Sequence, residues 1–221
     1  MELFSANQVC YTYRNAAQPV KAVNGVSCSF EAGVFYAIMG ASGSGKTTFL
    51  SLLAGLDLPT SGTIELDGVP TAKMDRDAYR LEHISVIYQN YNLFYHLTVL
   101  ENAAYPLYLR KMPKKEADSI ARERLLQLGL RDDQLRRFPN TLSGGEQQRV
   151  AIARALASGC EIILGDEPTG NLDSENSRRI VEILRKLAHE EARCVILVTH
   201  DPAVAEAADV VLRMRDGLFV E

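Results

Sequence analysis

The octet Gly40-Ala-Ser-Gly-Ser-Gly-Lys46-Thr47 follows the apolar run Val34–Met39 and precedes a segment in which Phe49, Leu50, Leu52, Leu53 and Leu56 predict one apolar helix face. A G-x-x-x-x-G-K-[ST] octet in that setting predicts a strand, a tight loop and a helix in immediate succession. Its glycines let backbone N–H groups turn inward around phosphate oxygens, where side chains would clash. The helix that follows adds the positive end of its dipole. Lys46 is then placed to reach the β- and γ-phosphates of a nucleotide, and the Thr47 hydroxyl to ligate Mg²⁺.

The rest of the chain supplies a matching framework. Gln8–Tyr13, Val20–Phe30, Val34–Met39 and Gly62–Gly68 read as strands separated by turns, and Ile84–Tyr88 as a short buried strand entering a polar, aromatic loop. From about residue 98 to 158 the pattern is mostly helical. Ala117, Ile120, Ala121, Leu125 and Leu128 keep helical spacing there, as do Val150, Ala153, Arg154 and Ala157. Strand Glu161–Leu164, helix Ser174–His189, strand Cys194–Val198, helix Pro202–Ala207 and strand Asp209–Met214 then alternate. Such alternation predicts an α/β core around a parallel sheet. We expect one domain over residues 1–221, with an inserted helical subdomain at approximately 90–158.

Ile162-Ile163-Leu164-Gly165-Asp166-Glu167 is an apolar strand ending in two acids, and the carboxyl edge of a parallel sheet is where α/β folds bind ligands. Beside a phosphate loop, Asp166 is expected to help hold magnesium and Glu167 to act as general base on the attacking water.

Between these elements residues 142–149 read Leu-Ser-Gly-Gly-Glu-Gln-Gln-Arg. Ser143, Gly144 and Gly145 open a helix, so free N–H groups and a dipole face an anion. With this signature the whole chain resembles the ATP-binding cassette (ABC) superfamily: a P-loop NTPase core with an N-terminal antiparallel β part and an inserted α-helical subdomain. The resemblance implies that Ser143, Gly144, Gly145 and Glu146, with Asp173 of the D-loop, contact an ATP held mainly by a second subunit. It implies that Gln89 is the Q-loop glutamine, touching magnesium and water, and that His200 is the switch histidine on the γ-phosphate. An aromatic upstream stacks on adenine; Tyr13 is the candidate and Tyr11 its rival. The ATP-binding set is then Tyr13 with Gly40, Ala41, Ser42, Gly43, Ser44, Gly45, Lys46, Thr47 and Thr48. Thr47, Gln89 and Asp166 form the Mg²⁺ set, and Glu167, His200 and Gln89 the catalytic set.

Val-Ile-Tyr-Gln-Asn-Tyr-Asn-Leu, Leu-Thr-Val-Leu-Glu-Asn at 97–102 and Pro-Thr-Gly-Asn-Leu-Asp at 168–173 resemble the macrolide-exporter, lipoprotein-release, antimicrobial-peptide-resistance and cell-division branch. Glu146, where many signatures have Gln, and Gly165, at a position often held by a larger residue, depart from the pattern without removing a catalytic group. The implied function is an ATPase subunit, paired as a homodimer or pseudo-symmetric pair around two ATP. It would drive a separate integral-membrane permease in export or lipid/peptide extrusion. An amino-acid-type importer subunit and a non-transport ABC ATPase are the alternatives. No apolar run approaches the ~18–20 residues that span a bilayer, and no signal-peptide pattern or polybasic cluster is present. The expected place is therefore the cytoplasm, peripheral on the membrane through the permease. A net charge of −4 gives no reason to expect a nucleic-acid partner. Four scattered cysteines, three in or beside strands, predict free and mostly buried thiols in a reducing compartment.

Overall fold

The computed structural model describes residues 2–14 and 18–220. The first part is β1 (Glu2–Tyr13), β2 (Val20–Glu31), β3 (Phe35–Met39), α1 (Lys46–Leu53), β4 (Ser61–Leu66), β5 (Val69–Pro70), α2 (Arg76–Glu82) and β6 (Ile84–Ile87). Three helices follow: α3 (Val99–Leu109), α4 (Lys114–Gln127) and α5 (Gly144–Ala157). The chain then alternates through β7 (Ile162–Asp166), α6 (Ser174–Glu191), β8 (Cys194–Thr199), α7 (Pro202–Ala207), β9 (Val210–Arg215) and β10 (Leu218–Val220).

Two sheets result. An antiparallel sheet is ordered β2-β1-β4-β5, and a six-stranded sheet is ordered β10-β9-β3-β8-β7-β6. In the second sheet only the β9–β10 hairpin is antiparallel. Its central strands are apolar on both faces, and their period-2 alternation divides them between two cores. Tyr36, Ile38, Ile162, Leu164, Ile196 and Val198 pack with Phe49 and Phe30 toward the antiparallel sheet. Phe35, Ile163, Val195 and Leu197 point the other way, into a core shared with Leu107, Leu125, Ile152 and Leu184 of the helices. The parallel strands thus end on one side, and the loops there carry the site.

Some elements differ from the sequence reading. The first helix begins at Lys46 and stops at Leu53, so Leu56 is not on its buried face but 40% exposed. Gly55, at φ 65°, ends that helix in the left-handed region, with its N–H on Leu52 O and that of Leu56 on Ser51 O. Helix α2 has no apolar period in the sequence, being mostly charged and burying only Tyr79; Asp75 caps it through bonds from the N–H groups of Asp77 and Ala78. The hairpin to β10 turns at Asp216-Gly217, both at positive φ. All four cysteines are free; Cys160 and Cys194 are buried, Cys10 and Cys28 half-buried. Burial pushes the Cys194 and Cys28 thiols up to about 12. Among the described residues no helix is long and apolar enough to cross a membrane.

Candidate functional site

The loop between β3 and α1 closes tightly on the strands beside it. Gly45 has φ 103°, and a Cβ there would stand 2.1 Å from the carbonyl oxygen of Ala22, so only glycine fits. Lys46, 7% exposed, folds its ammonium back onto the loop and donates to the carbonyls of Gly40 and Ala41, each at 2.8 Å. Ser44 is buried beneath it. The Thr47 hydroxyl donates to Asp166 Oδ1 at 3.2 Å and so joins the loop to the end of β7. Burial holds the Asp166 carboxyl above its ordinary value, and the neighbouring Glu167 charge acts the same way; the Thr47 hydroxyl and the Lys46 ammonium oppose them.

Glu167 follows with φ 47°, a left-handed backbone fixed by its N–H on Val198 O at 2.9 Å. A non-glycine residue there stores strain of a kind that concentrates at functional sites. Both of its carboxylate oxygens are engaged. His200 Nδ1 lies 2.8 Å from Oε1, and the Gln89 amide donates to Oε2 at 3.3 Å. Gly165, just upstream, is small because its space is already filled: a Cβ would meet Leu197 Cδ2 at 2.6 Å and Pro168 Cγ at 3.2 Å.

One cleft of about 670 Å³ gathers these groups, with Ser42, Gly43, Lys46, Thr47, Gln89, Asp166, Glu167 and His200 on its wall. Tyr13 and Thr48 line it too, their hydroxyls 3.1 Å apart. Tyr11 packs edge-on against Tyr13, with ring centroids 4.9 Å apart, and its hydroxyl donates to Asp57. Lys21 and Ala22 also line the cleft. Neither carries a motif that singled it out in the sequence.

Ser143, Gly144, Gly145, Glu146 and Asp173 do not line that cleft. Ser143 caps α5 in a reciprocal box: its hydroxyl accepts from Glu146 N at 3.3 Å, and its N–H donates to Glu146 Oε2 at 2.8 Å. The Ser143 backbone N–H holds the Glu146 carboxyl below its ordinary range, and the Ser143 hydroxyl and Gln134 amide add to this. Asp173 caps α6, accepting from Glu175 N and Asn176 N at 3.1 and 2.8 Å. Its carboxyl is lowered by those bonds, that of Asn176 first.

Residues 23–170 match the family model described as ABC transporter. The chain belongs to the ABC transporter family. It is 42% identical over 219 residues to the uncharacterized ABC transporter ATP-binding protein YclH of Bacillus subtilis, spanning 99% of this chain and 96% of that protein. Over 223 residues it is 43% identical to the macrolide export ATP-binding/permease protein MacB of Neisseria gonorrhoeae, of whose length it spans 34%. It superposes with a TM-score of 0.94 and 37% identity on MJ0796, a bacterial ABC transporter cassette solved as a dimer, covering 99% of this chain and 97% of that one. A second MJ0796 structure, also dimeric, is a post-hydrolysis state bound to ADP and Pi, with the same TM-score and coverage. The chain is thus an ATPase cassette of this family.

Within the cassette, three connections were not read from the sequence. Gln148, in α5, donates to Pro168 O at 2.7 Å, tying the signature helix to the turn that carries Glu167. Arg154 of the same helix donates to the carbonyls of Tyr91 and Asn92 at 2.9 and 2.7 Å, and Asn102, fully buried, donates to Phe94, Leu97 and Thr98 carbonyls. These bonds hold residues 90–97, of which Asn92 and Phe94 line an apolar groove of about 620 Å³ together with Leu56, Tyr88, Tyr105 and Leu109. Leu56 is exposed because it belongs to this groove, and Phe94 (44%) and Tyr95 (54%) are exposed on the same segment. Tyr108 instead packs against the helical core, with its hydroxyl on Asp118.

Proposed function

We propose that the cleft binds and hydrolyses one ATP and that the Ser143–Glu146 surface completes the ATP site of a second copy. Closure of the pair then drives a permease on a separate chain, in the direction of export or lipid/peptide extrusion. The observation that carries this reading is the Glu167 carboxylate, held from both sides by Gln89 and His200 in one cleft with Lys46, Thr47 and Asp166. The signature serine stands outside that cleft, which supports its delivery by a second copy.

In this reading the loop N–H groups of Gly40–Thr47 and the Lys46 ammonium cradle the phosphates, and Tyr13 stacks on the adenine. Glu167 accepts the proton of the attacking water, Gln89 orients that water, and His200 bonds the γ-phosphate. Ser143, Gly144 and Gly145 donate to the γ-phosphate across the interface, beside Asp173. The adjoining Thr47 hydroxyl and Asp166 carboxylate are hard oxygen donors and suit Mg²⁺, which takes one or two protein oxygens and fills its shell with phosphate and water. Bound there with Gln89 nearby, Mg²⁺ would neutralise charge on the β- and γ-phosphates. The apolar groove lined by Phe94, with the exposed Tyr95 beside it in the chain, would receive the permease, which would put the cassette on the cytoplasmic face of the membrane.

Sedimentation tests the pairing. Glu167→Gln protein should be monomeric alone and dimeric with ATP, and adding Ser143→Arg should abolish the dimer; one mass with and without ATP would remove the proposal. Phe94→Ala or Tyr95→Ala should keep ATP binding but lose the permease in detergent pull-down, and full retention by both would move the docking surface elsewhere.

A further inference from the structure

Asn171 lies in the turn between β7 and α6 and has no evident task in building it. Gly170 N on Glu167 O and Leu172 N on Thr169 O close the turn, and Asp173 caps the helix that follows. The Asn171 side chain instead crosses to another loop and donates from Nδ2 to Gln89 O at 3.0 Å. In the opposite direction, the Gln89 amide donates to Glu167 Oε2 at 3.3 Å. Two hydrogen bonds running opposite ways thus connect the same pair of loops, one through a Gln89 backbone atom and one through its side chain.

Gln89 needs such a tie. It follows β6, which ends at Ile87 and forms the edge of the six-stranded sheet, so no strand ladder fixes its backbone. Beyond it, Tyr91 and Asn92 take left-handed conformations at φ 49° and 48°. At 3.3 Å the Gln89–Glu167 bond already sits at the long end of the useful range, where a shift of a few tenths of an ångström would forfeit it. Asn171 belongs to the same short turn as Glu167, so holding the Gln89 carbonyl makes the two residues move together.

We infer that Asn171 is a positioning residue for hydrolysis, holding the Gln89 amide on the Glu167 carboxylate through the Gln89 backbone. The inference rests on the reading of Glu167 as base and Gln89 as its partner. It differs from a role for this turn at the interface between two copies, because the bond is made within one chain.

Steady-state hydrolysis of Mg-ATP by the full chain tests it, with kcat and KM measured for Asn171→Ala, Asn171→Asp, Gln89→Ala and the double variant Gln89→Ala/Asn171→Ala. Asp nearly matches Asn in shape but, ionised, cannot donate to a carbonyl. Both Asn171 variants should lower kcat by about threefold to tenfold, the range a neutral hydrogen bond supports, with KM for ATP within about twofold of the parent value. In the Gln89→Ala background, Asn171→Ala should have no further effect, since there is no amide left to position. Parent-like kcat in Asn171→Asp, an equal loss from Asn171→Ala in both backgrounds, or a raised KM at unchanged kcat would each overturn the inference while leaving the reading of the site intact. Parent-like kcat in Gln89→Ala would overturn both.

Discussion

The nucleotide cleft and the start of α5 are both rich in groups suited to anions, yet they are built in opposite ways. The contacts that join the loops of the cleft to one another link distant parts of the chain: Thr47 to Asp166 across 119 residues, Gln89 to Glu167 across 78, His200 to Glu167 across 33. At α5 the Ser143–Glu146 box closes over three residues. A local cap is complete as soon as its helix forms, and within one copy the loss of its bonds should be felt only at that helix end. The cleft exists only when β3, β6, β7 and β8 are in register, and its groups share partners, so a change at one is felt by the others.

The same isosteric change at the two places separates them most sharply. Glu167→Gln should lower ATP turnover by about 10²–10⁴-fold, the contribution of a positioned general base. Glu146→Gln keeps an acceptor for Ser143 and should leave turnover within about twofold, because the capping box accepts Gln as well as Glu. Comparable losses in a steady-state ATPase assay would erase the distinction. Next in size, Gly165→Leu should destabilise the fold by about 1–3 kcal/mol through overpacking against Leu197, measured by urea unfolding, and Leu197→Ala should recover part of that. No recovery would mean that the crowding comes from Pro168 instead. Ser143→Ala should cost about 1 kcal/mol, the usual value of a lost N-cap, with an unchanged denaturant slope.

The smallest effect concerns Asp166. Its carboxyl is raised in the folded state, chiefly by burial, so its charge opposes folding. That penalty is complete above the folded-state pKa and vanishes below the unfolded value. Asp166→Asn should therefore raise the melting temperature at pH 8 by about 1–3 °C, with the gain fading toward acid pH. A lower melting temperature at pH 8 would show that the lost Thr47 bond outweighs relief from burial.

Much of the cassette was legible in the sequence because its signals are short-range. The strand–loop–helix around Gly40–Thr47, the apolar β7 and β8, and the faces of α4 and α6 all appear as runs or periods. Helix α2 was not legible by that route, since one buried tyrosine makes no period; only its Asp75 cap marked it. The Asp216-Gly217 hairpin carried a turn signal that an apolar-run reading passed over. Leu56 continues the apolar pattern of α1 yet lines an open groove, because hydrophobicity does not say whether a residue meets a core or a groove.

The sequence by itself determined the family, the parallel α/β core and which residues are candidates for chemistry, since motifs and periodicity are properties of neighbours along the chain. It also contained the Ser143–Glu146 cap in full. Only the tertiary structure decided that Glu167 is gripped by Gln89 and His200 together, that Tyr13 and not Tyr11 lines the cleft, and that Gln148, Arg154 and Asn171 link the loops. Such contacts depend on strand order and register, which bring together atoms that no local pattern relates.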